Sequence, residues 1–422
     1  MKKIIFVLSL VLVLVLPSMV MAGPETIIRI DSETVEFNED LGFPFIDENY
    51  RTQVPFRATM EKYGAEVDWD GENNTAVAVK DGIVVKVPLG EKFILKNDEK
   101  IEIDSPALMK DGRIYLPIRH VIEAFGSKVE WDEAFNTVVI AEEDLDIREL
   151  LLTAYDKSNQ WENFDSLMTM FMEIPIKDEE GQDQRLEIEM LMEMTAFQEP
   201  FKAKASMDMI IDFGGLKFPQ NIMNMYYNIE DGKMTTYMEM PIADGQMQWV
   251  KQSQESELFE NLIKDKEASM KANSESIVDV KYFGKYLDEK DRSLLRVENT
   301  TSFEAYEDLL GGYVDILTSS GKEEDQMAAE ILTNMDDMIF IVYIDEDSGE
   351  IVKYEMDLGP LMKSMFDNMG DLIPKEEMGI LSDLKVLMEM EILNVNEAED
   401  FEIPEEALNA VEVEELDIPQ ML

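Results

Sequence analysis

Two passages of this chain repeat one another at a fixed offset. Residues 51–79 read RTQVPFRATMEKYGAEVDWDGENNTAVAV, and residues 113–141 read RIYLPIRHVIEAFGSKVEWDEAFNTVVIA. The offset is 62 without a gap, and 11 of the 29 positions are identical. An internal echo of this kind marks two copies of one supersecondary unit, so it constrains organisation before any motif is considered. The copies extend over about 34–80 and 96–142.

Each copy opens on an arginine (Arg51, Arg113) and runs through a short apolar stretch into Pro55 or Pro117. A residue before proline is pushed to extended geometry, and proline suits a helix start. A strand followed by a short helix is therefore expected, with the helices over Phe56–Tyr63 and Ile118–Phe125. Gly64 and Gly126 then stand where a helix end favours left-handed backbone. Val67 and Trp69 alternate with Glu66 and Asp68, as Val129 and Trp131 do in the second copy, which is the period of a strand. The turns Asp70–Thr75 and Asp132–Thr137 lead into a returning strand. One unit is strand, helix, hairpin.

Two charged residues recur within it. Arg57 and Glu61 are four apart on the expected helix, as are Arg119 and Glu123, a spacing that puts each pair on one face. They read as structural ion pairs that pin helix to sheet; the alternative is a ligand-binding arginine in each copy. With Trp69 and Trp131 they form the recurring structural set. His120 is the one histidine of the chain and stands opposite Ala58, so the unit does not require it and a surface or structural role is expected.

The pattern Gly-Arg-x-Tyr-Leu-Pro-x-Arg at Gly112–Arg119, then Glu-Ala-Phe-Gly-x-x-Val-Glu-Trp-Asp at Glu123–Asp132, then Asn-Thr-Val at Asn136–Val138, resembles the copper amine oxidase N-terminal-like domain. The resemblance covers about residues 27–143; in the first copy Tyr50 replaces the glycine. It implies a non-catalytic stalk, an antiparallel sheet wrapped on a helix, common in exported proteins of Gram-positive-type bacteria. The oxidase chemistry of that family needs copper on three histidines plus a tyrosine-derived quinone. A chain with one histidine and no cysteine cannot assemble three such ligands. Amine oxidase activity is therefore not expected.

Residues 1–22 read as a secretory signal peptide. Lys2 and Lys3 precede the apolar run Ile4–Leu16, Pro17 breaks it, and Val20-Met21-Ala22 offers small residues before a cut. The run is too short to span a membrane, and no second span is expected after cleavage. Without cysteine there is neither a disulfide nor a lipid-anchor site, so packing must supply stability. The charge is extreme, 91 acidic against 37 basic residues, net −54. Such a surface repels phosphate backbones, and nucleic acid is not expected as a partner. A secreted or envelope-associated protein is expected.

Beyond Asp146 the pattern changes. A Leu-rich helix over Ile147–Gln160 is followed by long alternating strands, whose apolar members are often methionine. Met168, Met170 and Met172 lie at period two, as do Met190, Met192 and Met194. Met207 and Met209, Met223 and Met225, Met238 and Met240, and Met388 and Met390 repeat it. Period two puts each set on one sheet face. Helices are expected to interrupt at Glu255–Met270, Ser302–Leu317, Gln326–Asp336 and Pro360–Asn368. The order of elements over 146–410 resembles lipoprotein-carrier-like half-barrel domains, which implies an apolar concave face and no reaction. The expected domain runs 146–415.

The whole is expected to be α+β: a tandem strand-helix-hairpin repeat domain, then a large antiparallel half-barrel sheet covered by helices. Methionine is flexible and polarisable and serves surfaces that accept varied apolar ligands. Its face reads three ways: a plain core; a groove for a hydrophobic small molecule or lipid lined by Met170, Met172, Met190, Met192, Met207, Met209, Met388 and Met390; or a soft-metal, copper(I) site. No nucleophile elbow, phosphate loop or Cys/His cluster occurs. No catalytic residue, resident metal or cofactor is expected. The expected function is non-catalytic binding or display at the cell envelope, with a cell-surface protein as a further candidate partner.

Overall fold

The computed structural model of the chain describes residues 26–30, 33–132, 136–141, 146–177, 183–213, 216–230, 232–241, 247–255, 266–306, 337–363 and 384–413, with scattered positions between 311 and 335. The expected signal peptide lies outside them. The described fold is mostly strand with few helices, α+β in class. Contacts divide it into two compact units. One lies within Val20–Ile147 and takes in Lys281–Val297; the other comprises Arg148–Val280 and Glu298–Leu422.

The N-terminal unit begins with β1 (Ile27–Ile30), β2 (Glu33–Thr34), β3 (Phe45–Ile46) and β4 (Thr52–Pro55), which runs into α1 (Phe56–Lys62). There follow β5 (Glu66–Asp70), β6 (Thr75–Lys80), β7 (Ile83–Pro88), β8 (Phe93–Lys96), β9 (Glu99–Glu102) and β10 (Leu108–Lys110). Then β11 (Arg113–Pro117) leads into α2 (Ile118–Phe125), β12 (Lys128–Asp132) and β13 (Thr137–Ala141). The strands form three sheets, ordered β12-β13-β1-β2, β10-β11-β4-β3 and β5-β6-β7-β8-β9.

Local chemistry explains both helices. Pro55 and Pro117 are extended, at ψ 117° and 103°, and stand as the residue before the first helical turn without a side-chain cap. Gly126 ends α2 at φ 107°, and Gly64 follows α1 at φ 83°. A Cβ at either angle would strain the backbone. Asn74 and Asn136 take left-handed turn positions before β6 and β13, which asparagine tolerates better than most residues. Val54, Met60, Ala76, Val85, Leu116, Ile122 and Ile140 are fully buried in one core, with Trp69 and Trp131 packed against it, partly buried.

One polar cluster lies in this unit. Arg296 and Asp132 pair with side chains 0% and 2% exposed. The Tyr286 hydroxyl donates to Asp132 Oδ2 at 3.2 Å, and Arg29 lies 3.2 Å above the Tyr286 ring. Arg29 Nη2 also donates to the Phe283 carbonyl at 2.9 Å. Burial pushes the Tyr286 phenol up to about 12; Asp132 adds to this and the two arginines oppose it. An unfolded tyrosine titrates near 10, so between about pH 10 and 12 the unfolded chain holds fewer protons and stability falls as pH rises. Hydrogen exchange of the N-terminal unit should therefore accelerate across that window, and less so in Tyr286→Phe. Equal acceleration in both would show that Tyr286 does not carry the effect.

The C-terminal unit opens on α3 (Ile147–Ser158). It continues with β14 (Asn163–Lys177), β15 (Asp183–Gln198), β16 (Phe201–Phe213), β17 (Leu216–Glu230), β18 (Lys233–Pro241) and β19 (Met247–Glu255). Next along the chain come α4 (Lys266–Ser276), then β20 (Ile277–Leu287) and β21 (Ser293–Thr301), of which Lys281–Val297 belongs to the N-terminal unit, and a short 3-10 turn at Phe303–Tyr306. It closes with β22 (Met338–Asp345), β23 (Ile351–Asp357), β24 (Lys385–Leu393), α5 (Glu405–Leu408) and β25 (Val411–Glu412). One half-barrel sheet holds twelve strands in the order β20-β21-β22-β23-β24-β14-β15-β16-β17-β18-β19-β25.

Two helix positions differ from expectation. The alternation of Met247–Gln254 carries β19 on to Glu255, and the described helix begins only at Lys266; residues 256–265 lie outside the described set. Ser302–Leu317 starts as a 3-10 turn, with helical positions from 311 to 319 among the described residues. The Gln326–Asp336 and Pro360–Asn368 expectations fall partly outside the described residues, although 359–363 is helical.

Candidate functional site

A cleft of about 540 Å3 opens in the N-terminal unit around the first turn of α2. Its residues come from several separate elements. The loop before β4 gives Tyr50 and Arg51, the segment after β9 gives Asp104, and α2 gives Arg119 and His120. Trp131 and Val129 of β12 form an apolar wall with Ile46 and Val138.

The loop is held by one carboxylate. Asp47 accepts from the backbone N–H of Asn49 at 2.8 Å and of Arg51 at 3.0 Å, from Gln53 Nε2 at 2.9 Å, and from the Ser105 hydroxyl. Partial burial pushes its pKa up, and these donors more than reverse that, leaving it below the usual carboxylate range. Next to this turn Tyr50 sits at φ 58° with 86% of its surface exposed. A bulky residue in that backbone region costs energy, and such outliers concentrate where structure serves function.

The charges of the cleft are paired. Arg51 grips Asp104 Oδ2 with Nε and Nη2, both at 2.7 Å. His120 Nε2 lies 3.9 Å from the other oxygen of Asp104. Burial raises the Asp104 pKa, and Arg51 and His120 outweigh it, so the carboxyl stays ionised below its ordinary range. Arg119 donates to the Val129 carbonyl and lies 3.7 Å from Glu123. The Arg119–Glu123 pair lies along one helix, and it is the bond to the Val129 carbonyl that ties this helix to β12. In the first copy, Arg57 lies 3.6 Å from Glu61, but both side chains are more than half exposed. One hydrogen-bonding atom remains: His120 Nδ1 is buried without a partner among the described residues. Such an atom costs free energy until something bonds it.

The methionine face occupies a different place. Met170, Met172, Met192, Met207 and Met388 are buried, from 1% to 8% exposed, and Met190, Met209 and Met390 are partly buried. Met170, Met172 and Met388 pack with Leu358, Leu361, Met362 and Val386 in one cluster. Met192 and Met207 pack with Ala205, Met225 and Met238 in another. A second cavity, about 470 Å3, is lined by Asp165, Glu193, Thr195, Lys204 and Tyr226. These alternate with the methionines along their strands, so they project from the opposite face. Met190 and Met209 pack against these clusters as partly buried neighbours, and the charged and aromatic residues line the two cavities described.

The sequence reading passed over Tyr50, Arg51, Asp104 and His120 as site residues. A signal was present nonetheless. Tyr50 answers to Gly112 and His120 to Ala58, so two of the cleft residues stand where the copies differ, whereas Arg51, Arg119 and Trp131 have identical counterparts. Among the described residues no group of three or more His, Cys, Asp or Glu side chains is arranged to hold a metal ion, and no helix is long and apolar enough to cross a membrane.

Residues 29–140 match the copper amine oxidase N-terminal domain. The domain contains the whole cleft and both repeated passages up to Ile140. A primary amine oxidase of Klebsiella aerogenes is 30% identical over 77 residues, which is 18% of this chain and 10% of that protein. The chain thus spans about a tenth of the length of that relative. Two solved structures are similar at 10% identity. One is a beta-barrel-like protein of domain of unknown function DUF1849 from Brucella abortus, with a TM-score of 0.18 over 54% of this chain and 98% of that one. The other is a DUF1329 family protein from Desulfovibrio piger ATCC 29098, with a TM-score of 0.16 over 59% and 91%. Scores this low carry no argument.

Proposed function

We propose that this is an exported, non-catalytic binding protein of the cell envelope, and that the α2 cleft of its stalk-like domain holds a neutral saccharide. The N-terminal domain reads as two copies of one strand-helix-hairpin unit, and the cleft draws residues from both. The cleft carries the proposal: aromatic surface and polar groups converge in a cavity of about 540 Å3, within the size range of small-molecule sites. A sugar ring offers a C–H face to Trp131 or Tyr50 and hydroxyls that both donate and accept. Those hydroxyls suit the edges of the Arg51–Asp104 pair and the waiting His120 Nδ1. A polyanion fits poorly, because both arginines are already neutralised and the chain carries a net charge of −54.

The test is co-sedimentation of the full-length protein with purified, insoluble envelope polysaccharide. The wild-type protein should pellet. Trp131→Ala should weaken binding by about 2 kcal/mol, roughly thirtyfold, as loss of a central aromatic contact does. His120→Ala should weaken it without harming the fold, since alanine fills the equivalent position 58. A wild-type protein that stays in the supernatant, or variants that pellet equally well, would overturn the reading. The methionine face serves in this reading as the core of the half-barrel.

A further inference from the structure

Strand register arranges the methionines in a way that their spacing in sequence does not reveal. Across β24, β14, β15, β16 and β17 the directly paired residues are Met390, Met168, Met192, Met207 and Met223. One step along, across β23, β24, β14, β15 and β16, they are Met356, Met388, Met170, Met190 and Met209. Ten methionines thus form two adjacent rows of five on one face. Direct partners across antiparallel strands hold their Cβ atoms about 4.5–5.5 Å apart. Each thioether is flexible enough to turn toward a neighbour's.

A plain apolar core has no need of this. Strand interiors favour Val and Ile, and methionine specifies packing poorly because it is flexible. What it adds is sulfur, a soft donor that selects monovalent soft ions over zinc or magnesium. Access differs along the grid. Met356, Met388 and Met170 are at most 5% exposed, whereas Met168, Met190, Met209, Met223 and Met390 are only partly buried. The opposite face carries Glu187, Glu189, Glu193, Glu389 and Glu391 on the same strands. One sheet thickness away, these carboxylates offset part of the cost of placing a positive ion among neutral ligands. We propose that the grid binds a soft monovalent cation, copper(I) or silver(I), through the thioethers of Met168, Met190, Met192 and Met390. This site is independent of the α2 cleft, and neither proposal needs the other.

Silver(I) titration of the full-length protein, followed by native mass spectrometry, tests it without redox chemistry. Stoichiometric silver binding is expected, with no corresponding uptake of zinc(II). The quadruple change Met168→Leu, Met190→Leu, Met192→Leu, Met390→Leu keeps volume and apolar character, which cores tolerate. It should weaken silver binding at least about tenfold, the smallest effect seen when even outer-shell metal partners are lost. Unchanged affinity in that variant, or no binding by the wild type, overturns the site. Carbon-13 methyl spectra of wild-type methionines decide the matter should the variant fail to fold. Silver must then shift the grid methyls, and shifts confined to the exposed Met109, Met247 and Met270 would overturn the proposal.

Discussion

Asp132→Ala should destabilise the N-terminal unit by about 3–5 kcal/mol, the usual result of removing one partner from a buried ion pair. Asp132 is 1% exposed, and it accepts from both Arg296 and Tyr286. Without it Arg296, which is 0% exposed, keeps a buried charge and loses the carboxylate that balances it. Arg29 loses the same balancing charge, and burial already presses its pKa down. Asp70→Ala is the matched control. Asp70 holds the equivalent position in the first copy, but it lies near the surface and, among the described residues, accepts from the turn residues Glu72 and Asn73. Its loss should be much smaller. Hydrogen exchange read separately on peptides from 26–141 and from 163–213 isolates the unit, which a single global transition in a two-unit chain would not. Equal effects of the two substitutions would show that the Arg296 pair contributes nothing beyond a turn contact.

Met388→Ala should cost the half-barrel about 2–5 kcal/mol, as truncation of a large core side chain does. Met388 is 1% exposed and pairs in register with both Met170 and Met356. It packs in the cluster of Leu358, Leu361 and Met362, so alanine there leaves a void that the sheet cannot close by shifting one strand. Met388→Leu conserves volume and should cost less than about 1.5 kcal/mol. Met109→Ala, at a side chain 57% exposed, should be near neutral. The readout is the urea midpoint of peptides from β14 and β24. If alanine at 388 proves as harmless as at 109, the methionine face is not a tightly packed core.

Much of the local architecture was legible because its causes are local. Pro55 and Pro117 force extension before the helices, Gly64 and Gly126 permit left-handed backbone after them, and period-two methionines put strands where strands occur. The cleft was less legible because its parts are far apart in sequence. Arg51 meets Asp104 across 53 residues, and His120 joins them from a helix whose counterpart carries alanine. Periodicity reports which face a residue takes, and it is silent about which distant residue shares that face. The methionine rows show the same boundary. Sequence spacing aligned each set within its own strand, and only the hydrogen-bonded register set Met168 beside both Met192 and Met390.

The two copies of the repeat mark where the sequence stopped. From the residues alone came the expectation of a strand, a helix and a hairpin in each, a chain with one histidine and no cysteine, and the expectation of a long alternating sheet behind them. These follow from backbone sterics and side-chain alternation, which act over a few residues. Tertiary structure decided what identical residues became. Asp70 closes a surface turn, and Asp132 anchors a buried arginine from residue 296, because Lys281–Val297 packs within the N-terminal unit. Burial and long-range pairing are properties of the folded chain, and they gave one aspartate a role that its twin never acquired.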